Sequence, residues 1–178
     1  PYFANNSIPH PLGPYGMLAP FFDDLDDNID SNGGTHEEIP FEVFFWSNDT
    51  SAIVQWNKVA NGQLDDICIE DDIDSCPRHT FQLILVGSDG GNGEIIFQYY
   101  NVSNWKDISE NPSELWYVDD HGSTIGIESP DKNTGIQYLF NLSDQDLPLL
   151  QNELAVKFCD GSCTDMGNEQ SIALTNGW

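Results

Sequence analysis

Nowhere in this chain do apolar residues recur at helical spacing over a full window. Short β-rich runs are cut instead by Gly, Asn, Asp and Pro, and this punctuation constrains the fold more than any other feature. The runs are Met17 to Phe22, Phe41 to Ser47 (FEVFFWS), Ala52 to Val59 (AIVQWNKV), Thr80 to Val86 (TFQLILV), Glu94 to Val102 (EIIFQYYNV), Leu115 to Val118, Ser123 to Glu128 (STIGIE), Gly135 to Asn141 (GIQYLFN) and Glu153 to Phe158 (ELAVKF). Asn48-Asp49 predicts a hairpin between the second and third runs, with Val54 and Trp56 on one face. The loop GSDGGNG, Gly87 to Gly93, predicts another, and Ser129 to Lys132 a third turn. Ser143 to Leu150 is the one helix-like stretch, and Pro148 limits it. Roughly seven or eight short strands in this rhythm predict an all-β fold, an antiparallel β-sandwich of jelly-roll-like kind with little or no helix.

The chain has 178 residues, enough for one domain with a substantial core. Residues 1–16 hold four prolines and two glycines and are expected to form an extended arm or surface wrap. Residues 17–158 are expected to form the sandwich, and 159–178 a tail that adds a strand.

Lys and Arg number 5 against 30 Asp and Glu, a net charge of -25. Such a surface repels phosphate backbones and anionic membranes, so nucleic-acid binding is excluded. No apolar run approaches the ~20 residues that span a bilayer, so membrane insertion is not expected. The favoured partners are metal cations, basic proteins and neutral polymers such as glycans. A second reading of the charge is solubility in salty surroundings, where self-repulsion is screened.

Four cysteines form two close pairs, Cys68/Cys76 and Cys159/Cys163. Local pairing as disulfides is the simplest of three connectivities and implies an oxidising, extracellular or cell-surface location. The alternative, zinc, fits less well, since CIEDDIDSC and CDGSC are not the usual short knuckles. Pro1 is expected to be the start of a processed segment.

The most specific chemical signal lies in MLAPFFDDLDDNIDSNGG, Met17 to Gly34, where an apolar strand runs into five aspartates within eight residues. From Asp26 the oxygens alternate through Asn28, Asp30 and Asn32, with Glu37 at the twelfth position; Asp24, or Asp23, lies within reach of another register. Hard cations take six to eight oxygens, and this spacing brings such ligands to one ion, so calcium is the expected cofactor. An EF-hand it is not: the sixth position is Ser31 rather than Gly, and no flanking helix is predicted. A solvated acidic loop is the alternative. A second acidic cluster, Asp65, Asp66, Glu70, Asp71, Asp72 and Asp74, is tied off by Cys68 and Cys76 and reads more simply as wet surface.

Signals for catalysis are weak. Asp119-Asp120-His121 with Ser123 contains triad residue types, but turn chemistry explains them as well. So many acids guarantee accidental carboxylate pairs, and His10, His36 and His79 show no ligand spacing. Among the tryptophans, Trp46 and Trp56 are expected in the core, while Trp105 and Trp116 sit in or beside a polar loop as sugar-stacking platforms. Sequons at Asn5, Asn48, Asn101 and Asn141 would accept glycans in a host that glycosylates exported proteins.

The succession LAPFFDDLDD, VQWNKVANGQ, TFQLILV, GEIIFQYYNV, TIGIESPDKNTGIQYLFN and LAVKF resembles an extracellular β-domain attached to large secreted bacterial proteins, often surface proteins or subtilisin-like and other exported proteases. The APFF-DD start, the TFQ strand and GEIIFQY also resemble the nidogen-type extracellular domain. The likeness covers roughly residues 12 to 158 and is densest over Thr124 to Asn141. It departs in having Phe22 where such modules commonly carry Trp, and in the two cysteine-bearing loops. What it implies is a non-catalytic accessory or adhesive module. With the acidic loop, the expectation is a calcium-stabilised adhesion or structural module that supports attachment to a parent surface protein or assembles with copies of itself into a filament or coat. Under that reading the Pro-rich arm or the tail adds a strand to a neighbour's open sheet edge. The alternatives are a carbohydrate-binding module and a polysaccharide-cleaving enzyme.

Overall fold

Alternation of apolar and polar side chains sends successive residues of a strand to opposite faces, and among the described residues ten strands use that period to build two sheets. The computed structural model describes residues 6–23, 25–26, 42–61, 78–87, 93–102, 123–140, 150–160 and 169–174. Its strands are β1 (Leu18–Phe22), β2 (Leu25–Asp26), β3 (Glu42–Ser47), β4 (Ser51–Asn61), β5 (His79–Val86), β6 (Glu94–Asn101), β7 (Thr124–Glu128), β8 (Gly135–Phe140), β9 (Leu154–Asp160) and β10 (Glu169–Leu174). The described residues contain no helix.

The small sheet runs β1-β7-β8, and the large sheet runs β10-β9-β6-β5-β4-β2, with β3 also paired to β4. All pairings are antiparallel except β10 on β9, which is parallel. β10, from the C-terminal stretch, extends the large sheet at β9. Two hairpins form as their turn signals require. At β3–β4, Asn48 Oδ1 accepts the amides of Thr50 (2.9 Å) and Ser51 (2.7 Å), an Asx-type turn. At β7–β8, the Lys132 amide donates to Ser129 O at 3.0 Å. Asp131 caps the same turn, and the Ser129 hydroxyl and Asn133 amide on its carboxylate lower its pKa.

The two sheets bury one core between them. Phe21 of β1, Ile125 and Ile127 of β7 and Leu139 of β8 face Phe81 and Leu83 of β5, Phe97 and Tyr99 of β6, and Leu154, Val156 and Phe158 of β9. Phe81 stacks between Phe21 (5.4 Å) and Trp56 (5.1 Å), and Phe97 meets Phe158 edge-on at 5.1 Å. Tyr99 fastens the sheets through its hydroxyl, which donates to Pro20 O at 2.6 Å, and burial pushes its pKa well above 10. Val54 and Trp56 share the core face, as their spacing predicted.

Residues 6–16 are strapped along the small sheet rather than extended away from it. Ile8 is buried, and its amide donates to Gln137 Oε1 at 2.9 Å. The His10 amide donates to the carboxylate of buried Glu128 at 2.6 Å, and the Thr124 hydroxyl donates to Asn6 O at 2.9 Å. Lys132 covers the Tyr15 ring at 3.6 Å. Gly126 and Gly135 make the seat: a Cβ on Gly135 would stand 2.5 Å from Ile8 Cγ2. Residues 6–16 of the Pro-rich segment thus pack on the small sheet of their own chain.

Candidate functional site

Opposite the core, the large sheet presents a second face, and strand register decides what lies on it. Phe44, Gln55, Gln82, Gln98 and Ala155 stand in one row across β3, β4, β5, β6 and β9. Directly paired residues share a face. The neighbouring residues Trp56, Phe81 and Tyr99 point into the core, so the glutamines point away from it. The next row on the outer side is apolar: Trp46, Ile53, Ile84 and Ile96, ending at Lys157. Lys157 is buried there and pairs with Glu94 of β6 at 2.7 Å.

The glutamine row floors a groove of about 490 Å³, lined by Gln55, Asn57, Thr80, Gln82, Gln98 and Tyr100 among others. A bulge between Trp56 and Val59 shapes one end, with Lys58 at φ 58. The bulge is held by the Lys58 amide on Thr80 Oγ1 at 3.1 Å and by Arg78 Nη1 on Lys58 O at 3.3 Å. Two strands across, on β6, Tyr100 points away from buried Tyr99 and is 75% exposed, an aromatic rim beside the groove. Gln82 Nε2 donates to Gln98 Oε1. With that bond made, Gln82 keeps its carbonyl oxygen and Gln98 its NH₂ group for another partner.

The chemistry of this lining is amide, hydroxyl and aromatic. Among the described residues that line it, Glu153 is the one that carries a charge, and Lys58 and Arg78 stand at the bulge beyond. Among the described residues, no three His, Cys, Asp or Glu side chains converge on a metal-sized point.

The residues singled out from sequence distribute differently. Of the calcium set, Asp26 lies in β2 opposite Ala60, while Asp24, Asn28, Asp30, Asn32 and Glu37 fall outside the described residues, as does the second acidic cluster. Cys159 lies in β9 opposite Glu94; Cys68, Cys76 and Cys163 fall outside. Of the sequons, Asn48 is exposed at its turn and Asn101 is exposed at the end of β6, its Nδ2 donating to Arg78 O at 3.4 Å. Asn5 and Asn141 lie outside the described residues, with Trp105, Trp116, Asp119, Asp120 and His121. Ser123 is buried.

Trp56 packs against the core as expected, but Trp46 does not: it stands on β3 and is exposed. The reason is positional, since among the described residues β3 pairs with β4 alone, and its burial is low along its whole length. The glutamine row was missed by sequence reasoning, although a signal existed. Three successive runs carry one Gln each beside an aromatic: VQW, FQL and FQY. A lone polar residue inside an apolar run marks the outward face, and three in register make a surface.

No family model, no curated protein and no solved structure matches this chain.

Proposed function

We propose that this chain is a non-catalytic adhesive module of an extracellular protein, and that it holds a neutral polyhydroxyl chain, a glycan, along the glutamine row. The observation that carries the reading is the in-register row Gln55, Gln82 and Gln98, with aromatic Phe44 beside it and Tyr100 at its rim. A sugar hydroxyl both donates and accepts, and a primary amide offers both functions on one rigid plane. The C–H face of a sugar ring packs on an exposed aromatic such as Tyr100. The described lining is mostly amide, hydroxyl and aromatic, which suits an uncharged ligand. The acidic surface and the four cysteines support a place outside the cell.

The test is calorimetric titration with soluble neutral polysaccharides, followed by Gln82→Ala and Tyr100→Ala. Both side chains face away from the core, so both variants should melt like the parent. Each is expected to weaken binding at least about tenfold, the loss of about 1.4 kcal/mol. Should no neutral glycan bind, or should the variants bind as well as the parent, the groove is not the site.

A further inference from the structure

The strand β3 carries a second feature that the groove does not use. Along Glu42–Ser47 every residue is exposed, and Val43 (51%), Phe44 (48%), Phe45 (70%) and Trp46 (52%) form an apolar strip on both faces. Its pairing with β4 runs without a bulge from Glu42 to Ser47, so the strand is regular. No other strand among the described residues pairs with it, which leaves one line of backbone N–H and C=O groups at a sheet edge. Edge strands are commonly guarded by lysines, prolines, bulges or inward charges. β3 has none of these beyond Glu42 at its start.

We propose that β3 is a self-association edge, at which two copies of this chain pair antiparallel across a two-fold axis to form one continuous sheet. Charge argues for a second copy. Repulsion at net charge -25 opposes most self-contacts, yet Val43 to Ser47 is free of charge in a chain where acids are otherwise frequent. Symmetry makes the strand its own complement. A two-fold axis normal to the sheet keeps each face on its own side, so paired residue numbers must share parity. The register centred on Phe45 satisfies this. It sets Phe45 against Phe45 of the second copy, Phe44 against Trp46 twice, Val43 against Ser47, and Glu42 against the neutral amide Asn48. The two Glu42 carboxylates end at opposite ends of the seam.

Area sets the strength. The side chains stand above and below the sheet, so edge pairing covers their flanks and one line of backbone and leaves both faces open. The seam is therefore smaller than the about 1,000 Å² of a specific, stable interface, which fits a weak, reversible dimer. The association is independent of the glycan reading, but it would join two glutamine rows end to end through Phe44 and Trp46.

The experiment is sedimentation velocity on the full chain across a concentration series, at about 0.01 M and about 1 M NaCl, where the screening length falls from about 30 Å to about 3 Å. A dimer is expected that grows with concentration and strengthens at least about tenfold at high salt, because the seam is apolar and the repulsion remote. Phe45→Lys should abolish it while leaving the circular dichroism spectrum unchanged. A gentler variant tests register: Phe45→Cys should form an intermolecular 45–45 disulfide, since directly opposed strand residues lie about 4.5–5.5 Å apart at Cα, within disulfide reach. Ser47→Cys, opposite Val43, should not. A monomer throughout would overturn the proposal, including a monomer whose β3 amides are protected from hydrogen exchange by the chain's own segments. So would a dimer that survives Phe45→Lys, or cross-linking by Ser47→Cys as efficient as by Phe45→Cys.

Discussion

His79 stands on β5 with none of its surface exposed, its ring 4.7 Å from that of Phe21. Burial first, and the neighbouring Arg78 charge second, lower its pKa from 6.5 to about 4. The folded state therefore keeps His79 neutral where the unfolded chain begins to take up a proton. Below pH 6.5 the unfolded state binds more protons, so stability falls with pH until about pH 4, where both states are charged. The loss attributable to this one imidazole is on the order of 3 kcal/mol. Urea unfolding at pH 7.5, 5.5 and 4.5, compared with His79→Leu, isolates it from the carboxylates, which titrate in both proteins. The parent should lose stability relative to the variant as pH falls; parallel pH profiles would show that His79 contributes nothing. This residue carried no signal in the sequence. A lone histidine between Arg78 and Thr80 gives no hint that a sandwich closes over it.

At the scale of elements, most strands were legible because alternation and turn chemistry are local. The runs at 41–47, 52–59, 80–86, 94–102, 123–128 and 135–141 became β3 to β8 with small changes at their ends. What was not legible came from pairings between distant segments. Trp46 reads as core because a tryptophan in an apolar run normally is; its exposure follows from β3 pairing, among the described residues, with β4 alone. The parallel β10 on β9 leaves no local mark, since its register depends on where the chain returns. The glutamine row needed three registers before three separate residues became a surface. The strap is the clearest case, because PYFANNSIPHPLGPYG announces an extended segment and not the seat beneath it. That seat can be tested. Gly135→Ala drives a Cβ against Ile8 Cγ2 and the Ile127 carbonyl and is expected to cost about 1–3 kcal/mol. Ile8→Ala should cost about 2–4 kcal/mol by leaving a cavity. Together they should cost less than their sum by at least about 0.5 kcal/mol, because one change makes room for the other. Additive losses in a denaturant double-mutant cycle would mean that Ile8 does not occupy this seat.

At the scale of the whole molecule, the net charge of -25 sets the conditions under which the fold holds. Compact states suffer from their own repulsion, and salt relieves it within a Debye length of about 10 Å at 0.1 M. The melting temperature should therefore rise with NaCl. Calcium at matched ionic strength separates screening from a specific ion in the acidic stretch Asp24 to Glu37. A site that binds the folded state adds about 2.7 kcal/mol at a hundredfold excess over its dissociation constant, and chelator reverses it. If calcium and sodium act alike at equal ionic strength, the aspartates serve as solvated surface. The strap bears on timing as well. Its bonds join residues 118 and 129 positions apart in the chain. A polypeptide emerging from its N-terminal end displays Ile8 long before the hairpin that receives it has been made. The small sheet can close only after residues 124–140 arrive, so in a growing chain this part of the fold commits late.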